Sequence, residues 1–289
     1  MYIILGATGH VGSAVAQTLL RKGQPVTVIT HDPEKSDEWT QKGADVAVVD
    51  VHDTDGLRQV FRQGKRLFLL NPPAAPSTDT AEEERKSIAS ILAALADSGI
   101  EKVVAESTYG AQPGNRVGDL GVLYELEQGL AKTNIPVSII RAAYYMSNWD
   151  MSLSTAQQEG KVHTLYPPDV KLPMAAPQDL GQVAADLLME PSEKTGLYYV
   201  EGPETYSSAD VAAAFSVALN KSVEAIETPR DQWIPALTAM GFSQKGAESM
   251  AAMTAVTLET LEKKHDLPDA PIRGTTTLQE YINTLVKEQ

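Results

Sequence analysis

Three glycines, Gly6, Gly9 and Gly12, stand between a short apolar run and an amphipathic stretch, and this arrangement constrains the fold more than any other feature of the chain. Tyr2 to Leu5 read as a strand, the residues from His10 as a helix and Val26 to Thr30 as the next strand. Gly6-Ala7-Thr8-Gly9-His10-Val11-Gly12 therefore forms the first turn of a βαβ unit. The glycines do different things there. Gly6 permits a tight turn, Gly9 lets the backbone approach a pyrophosphate, and Gly12 lets the helix pack closely on the strand. A helix starting near His10 offers free N–H groups and the positive end of its dipole to phosphates. The context predicts a dinucleotide site that uses Gly6, Thr8, Gly9, His10, Val11 and Gly12.

The alternation continues along the chain. Runs at Asp45-Val49, Arg66-Leu70, Lys102-Glu106 and Val137-Arg141 read as strands, and helical patterns fall at about 10–22, 54–62, 80–98 and 119–133. VTVIT, VAVV and LFLL are continuously apolar, as expected of strands covered on both faces. Leu120, Leu123, Leu126 and Leu130 form one helical stripe, and Glu82-Glu83-Glu84 reads as the solvated first turn of a helix. The pattern predicts an α/β protein: a Rossmann-type doubly wound parallel sheet with a smaller C-terminal α/β substrate lobe. After Arg141 the regularity loosens, and AAYYMSNW and the proline-rich GKVHTLYPPDVKLPMAAPQD read as irregular. Residues 1–150 are expected to form the nucleotide-binding core and 151–289 mainly the second lobe. A segment at about 178–201, with a helix at 178–189 and a strand at Leu197-Glu201, is expected to return to the core. Further helices are expected at about 208–219, 230–240 and 244–263.

Composition narrows the function. With 38 acidic against 24 basic residues the formal net charge is -14, a field that repels nucleic acid and anionic membrane surfaces. The chain has no cysteine, hence no disulfide, thiolate nucleophile or cysteine metal site. His10, His31, His52, His163 and His265 form no HxxxH or HxH pair, so no metal ligand set is visible. No leader precedes the first strand and no apolar stretch reaches the ~18 residues of a membrane span, which leads to the expectation of a soluble, cytoplasmic protein.

The choice between dinucleotides turns on the residues after the second strand. Asp32 lies about 20 positions beyond Gly12, where an acidic residue bonds the adenosine ribose in a common NAD fingerprint. Facing a 2'-phosphate at about 6 Å, its charge would cost roughly 3 kcal/mol at an effective dielectric near 20 and exclude NADP. His31 and Lys35, if they face the site instead, can donate to that phosphate without an arginine's bidentate fork.

GATGHVG, THDPEK, VVDVHD, IRAAYYMSNW and EGPETYSSADVAAAF together resemble the NmrA-like branch of the atypical short-chain dehydrogenase/reductase superfamily, nearest its quinone- and triphenylmethane-reducing members. The resemblance spans nearly the whole chain. It implies an arginine just past the second strand that reads the 2'-phosphate of NADPH; His31 departs from this. NADP(H) is the preferred cofactor on this reading and NAD(H) the alternative. The resemblance further implies that Asp50 and Val51 contact the adenine edge, that Asn71 and Pro72 lie beside the cofactor's ribose and pyrophosphate, and that Ser107, Thr108 and Tyr109 sit beneath the nicotinamide ribose. Asp50 can equally cap a turn, and Asn71-Pro72 can merely punctuate a loop.

Active short-chain dehydrogenases commonly use Tyr-x-x-x-Lys, because one helical turn brings the ammonium under the phenol and lowers its pKa. No tyrosine here has a lysine four residues later. Where members of the branch carry a catalytic lysine, it lies four residues before the second glutamate of an E-x-E segment. In Glu125-Leu126-Glu127 that position is Leu123. Tyr124 could act as an isolated acid or be a core tyrosine. Tyr144, Tyr145 and Asn148 fall where the resemblance puts a loop over the nicotinamide; the two rings either stack on a flat substrate or tie the lobes together. Met240, Met250, Met253 and Phe242 suit an adaptable pocket wall, or ordinary helix packing. The leading expectation is a reductase whose small-molecule partner is a quinone or similar aromatic acceptor that collects its proton from solvent. The alternative is a non-catalytic NADP(H)-binding sensor that reports redox state to a protein partner. A sugar-nucleotide epimerase is third, disfavoured by the missing Tyr-x-x-x-Lys.

Overall fold

Strands that are apolar on both faces need helices on both sides of their sheet, and the computed structural model, which describes residues 1–114, 117–263 and 270–288, builds that arrangement. The chain runs through β1 (Tyr2–Leu5), α1 (His10–Arg21), β2 (Val26–Thr30), α2 (Ser36–Gln41), β3 (Asp45–Val48) and α3 (Thr54–Phe61). β4 (Arg66–Leu69), α4 (Thr80–Leu95), β5 (Lys102–Thr108), α5 (Asp119–Leu130) and β6 (Val137–Ala142) follow. Next come β7 (Tyr144–Tyr145), α6 (Leu153–Glu159), β8 (Lys161–Thr164), β9 (Leu172–Ala175), α7 (Pro177–Met189) and β10 (Gly196–Glu201). The described chain closes with β11 (Thr205–Tyr206), α8 (Ser208–Leu219), β12 (Glu224–Glu227), α9 (Trp233–Ala239), α10 (Gln244–Lys263), β13 (Ile272–Arg273) and α11 (Leu278–Lys287).

Eight of these strands form one sheet in the order β13-β10-β6-β5-β4-β1-β2-β3, and every pairing in it is parallel. The order reverses between β1 and β4, which opens a crevice at the carboxyl ends of these strands, the place where such sheets bind ligands. One face packs against α1 and α7 through Val11, Val15, Leu180 and Leu188. Here Gly181 brings α7 so near α1 that a Cβ on it would lie 2.5 Å from the Ala14 Cβ. The other face packs against α3, α4 and α5 through Leu57, Phe61, Ile91 and Leu126. A third cluster, with Trp149, Leu153, Tyr166, Phe215 and Ile282, lies under α6, α8 and α11 beside the small sheets β11-β9-β7 and β12-β8.

Some elements differ from the sequence reading. α4 stops at Leu95, not near 98, because Asp97 and Gly99 take positive φ of 54° and 77°. β5 runs on to Thr108, and α5 ends at Leu130. The stretch expected at 230–240 splits into a 3₁₀ turn, Arg230–Gln232, and α9, with Pro235 in the first turn where no N–H is needed. The segment read as irregular contains β8 and β9, strands of four residues, the second carrying Pro173. Glu82 is exposed and Glu83 only half-buried, as a solvated first turn requires, but Glu84, a further 100° round the helix, is buried.

Candidate functional site

The glycine turn has the geometry that its residue types dictate. Gly6 takes φ of 86°, and its carbonyl accepts the Gly9 N–H at 3.0 Å. A Cβ on Gly12 would fall 2.1 Å from the Gly6 oxygen, whereas one on Gly9 would meet nothing nearer than 3.5 Å. Gly12 is thus fixed by the fold, and Gly9 leaves open space above the turn. Gly9 is the N-cap of α1 and has no capping side chain, so the first N–H groups of the helix face outward unpaired within it. Thr8 is half-buried, and Val11 is buried in the core, leaving its backbone for the loop surface. His10 is exposed, with Nε2 3.6 Å from Asp150, whose carboxylate also accepts the Tyr281 hydroxyl at 2.8 Å.

Beyond β2, the Asp32 carboxylate accepts the Glu34 N–H at 3.0 Å and caps the 3₁₀ turn Pro33–Lys35, while the Thr30 hydroxyl accepts the Asp32 N–H at 3.0 Å. The acid is engaged in its own turn, and His31 and Lys35 are exposed beside it. Asp50 likewise accepts the His52 N–H at 2.8 Å, and Val51 packs on the α3–α4 face. Asn71 follows β4, next to the glycine turn: the Leu70 Cβ is the atom that a Cβ on Gly6 would meet first, at 3.1 Å. Asn71 is buried, and its Oδ1 has no hydrogen-bond partner among the described residues. Pro72 beside it is half-buried.

At the ends of β5 and β6 the candidates divide. Ser107 faces α5 and donates to Glu127 at 2.5 Å, and Glu127 is held by both prongs of Arg141 at 2.9 and 2.7 Å. The Thr108 hydroxyl donates to the Tyr109 carbonyl at 3.3 Å. Tyr109 stacks edge-on against Tyr199, and burial together with Glu201 raises its hydroxyl pKa. Tyr144 packs against Trp149 and Tyr166 in the third core cluster. Tyr145 instead turns to the sheet, where its hydroxyl donates to Glu106 at 2.6 Å. Leu123 and Tyr124 are half-buried on α5, Leu123 against the α3–α5 face.

Two carboxyls escape the sequence reading. Glu106 is 1% exposed, its Oε2 has no partner among the described residues, and burial pushes its pKa up to about 7 against the pull of Tyr145. A signal exists, since a carboxylate inside the central-strand run VVAEST is out of place. Glu84 is hidden in an acidic run. Among the described residues no three His, Asp or Glu converge as a metal site, and no helix is long and apolar enough to cross a membrane.

An outward-facing helix start over a glycine turn, at the reversal of a parallel sheet, fits a dinucleotide pyrophosphate. The unpartnered Asn71 oxygen lies beside that turn. The sequence profile of the NmrA-like family matches residues 2–282. The chain belongs to the NmrA-like family.

Among its relatives, the chain is 24% identical over 258 residues to an NAD(P)H azoreductase of Xenophilus azovorans, covering 89% of this chain and 87% of that protein. It is 27% identical over 235 residues to a nitrogen metabolite regulation-like protein of Gibberella fujikuroi, covering 72% and 69%. An NADPH-dependent quinone oxidoreductase from Escherichia coli, solved with NADPH, has a similar fold, with a TM-score of 0.74 at 24% identity, covering 99% of each chain.

Proposed function

We propose that this NmrA-like protein is an NAD(P)H-dependent reductase of a flat, electron-poor aromatic acceptor such as a quinone. The observation that carries the reading is the Gly6–Gly12 turn, with the free start of α1 on one side and the unpartnered Asn71 oxygen on the other. The names of the azoreductase and quinone oxidoreductase relatives support it.

On this reading the N–H groups of His10, Val11 and Gly12, with Gly6, Thr8 and Gly9, bind the pyrophosphate. His31 and Lys35 receive a 2'-phosphate, which favours NADP(H) over NAD(H); Asp50 and Val51 border the adenine. Asn71, Pro72 and Thr108 border the riboses, and Tyr109, Tyr145 and Asn148 border the acceptor, whereas Ser107 is turned to Glu127 and Tyr144 is packed in the third core cluster. The bound nicotinamide supplies a hydride. The chain's residues orient the partners, and with Leu123 in place of a lysine the proton reaches the reduced acceptor from solvent.

A steady-state assay with NADPH and NADH against a quinone panel tests the proposal. Oxidation of NADPH with at least one acceptor is expected. Tight nucleotide binding with no oxidation by any acceptor would overturn it in favour of a nucleotide-binding regulator, the reading that the nitrogen-regulation relative favours.

A further inference from the structure

A cavity of about 190 Å³ opens one loop beyond Asn71, between the chain after β4, α4, the start of α5 and α10. Phe242, Met250 and Met253 form its apolar wall, and Glu84, Asp119 and Ser249 are polar groups lining it. Glu84 is buried, with its carboxylate accepting the Ala74 N–H at 3.1 Å. Asp119, in the first turn of α5, is exposed as a residue, yet burial of its carboxyl group raises its pKa as well. Ser249 is 6% exposed, and its Oγ has no hydrogen-bond partner among the described residues.

Among the described residues the charges around this cavity are one-sided. Burial, and then the charge of Asp119, push the Glu84 carboxyl up to about 7, with Arg85 only partly offsetting them. No ion pair to either carboxylate is formed among the described residues: Arg85 is turned to Glu125 at 2.9 Å, and Lys245 of α10 to Asp79 at 2.9 Å. On the sheet side Asp119 acts on Tyr145, itself bonded to Glu106, so another acid lies on that side. Two carboxylates and an unused hydroxyl around one cavity call for a positively charged hydrogen-bond donor. A divalent metal would need more oxygen ligands than these, and among the described residues no such group converges. The wall points to a ring, since methionine sulfur packs well on aromatic faces and a cavity of about 150 Å³ already holds benzene.

We propose that this cavity binds a flat aromatic cation, its charge between Glu84 and Asp119, its polar hydrogens shared with Ser249, and its ring against Phe242, Met250 and Met253. The site does not require the reductase reading, because binding is measured without turnover.

The test is calorimetry on the full chain with benzamidinium, which stays charged across the range used, and with neutral benzamide of the same shape. At about pH 8 benzamidinium is expected to bind about tenfold more tightly than benzamide or better, a difference of about 1.4 kcal/mol. Lowering the pH to about 6 should weaken benzamidinium about fivefold as Glu84 takes up a proton, and leave benzamide unchanged. Glu84→Gln and Asp119→Asn should each weaken benzamidinium about tenfold. Equal affinity for the two compounds, no measurable benzamidinium binding, or benzamidinium binding indifferent to both substitutions overturns the proposal. The pH series on the unsubstituted chain decides the matter even if a variant fails to fold.

Discussion

Tyr145 donates its hydroxyl to Glu106 at 2.6 Å, joining the short strand after β6 to a carboxyl inside β5 whose other oxygen has no partner among the described residues. One hydrogen bond does not repay the burial of a full negative charge, and the carboxyl holds its proton to about 7 in place of its ordinary 4.5.

This fixes the sign of a pH effect. The folded chain binds the Glu106 proton more tightly than the unfolded chain, so the stabilisation is complete below about pH 4.5 and is lost as the pH rises through about 7. The full loss is on the order of 3 kcal/mol. Glu106→Gln, which keeps an acceptor for Tyr145, should match the parent near pH 5 and exceed it by about 2 kcal/mol near pH 8. Urea unfolding at both pH values measures this; parallel profiles for variant and parent would remove Glu106 as the source.

Arg141 and Glu127 are 16% and 10% exposed, and each is the other's main partner. Removing only the cation strands a buried carboxylate. Arg141→Met should cost about 3–5 kcal/mol in chemical denaturation, and adding Glu127→Leu should recover at least half of it. A double variant no better than the single one would show that the pair's geometry, not its charge, is what the fold needs.

Gly9 and Gly12 separate nucleotide binding from folding. Gly12→Ala drives a methyl to 2.1 Å from the Gly6 oxygen and should lower the melting temperature sharply. Gly9→Ala has space in the protein and should melt like the parent, but weaken NADPH binding about tenfold or more by titration. Unimpaired NADPH binding in Gly9→Ala would contradict the assignment of the pyrophosphate to this turn.

Because Asp32 caps its own turn, Asp32→Ala should cost about 1 kcal/mol of stability through the lost cap. NADPH affinity should change by less than about tenfold. A gain beyond that in equilibrium titration would mean that the carboxylate faces the ribose in the complex.

What the sequence made legible was local. Seven of the eight strands of the large sheet were visible as runs, all but the two-residue β13, and Gly6, Gly9 and Gly12 as turn chemistry, since both signals lie within a few neighbouring residues. Tyr144–Tyr145 was not legible as a strand, because two residues carry no alternation. Glu106 and Tyr145 lie 39 positions apart, so no spacing rule joins them. Nor does one join Ser107 to Glu127, which turns a residue expected beneath a ribose toward α5. Glu84 escaped notice because an acidic run conceals the one member that a helix rotates inward.

Asp150 stands near His10 at the start of α1 and accepts from Tyr281 in α11, so one carboxylate meets side chains from distant parts of the described chain. Contacts of such long sequence separation are closed at a high entropic cost and form slowly. The glycine turn is therefore braced by a helix that docks from far along the chain. Proteolysis that removed α11 would leave every residue of the turn in place and still loosen the carboxylate beside its helix start, so damage remote in sequence reaches the nucleotide crevice directly.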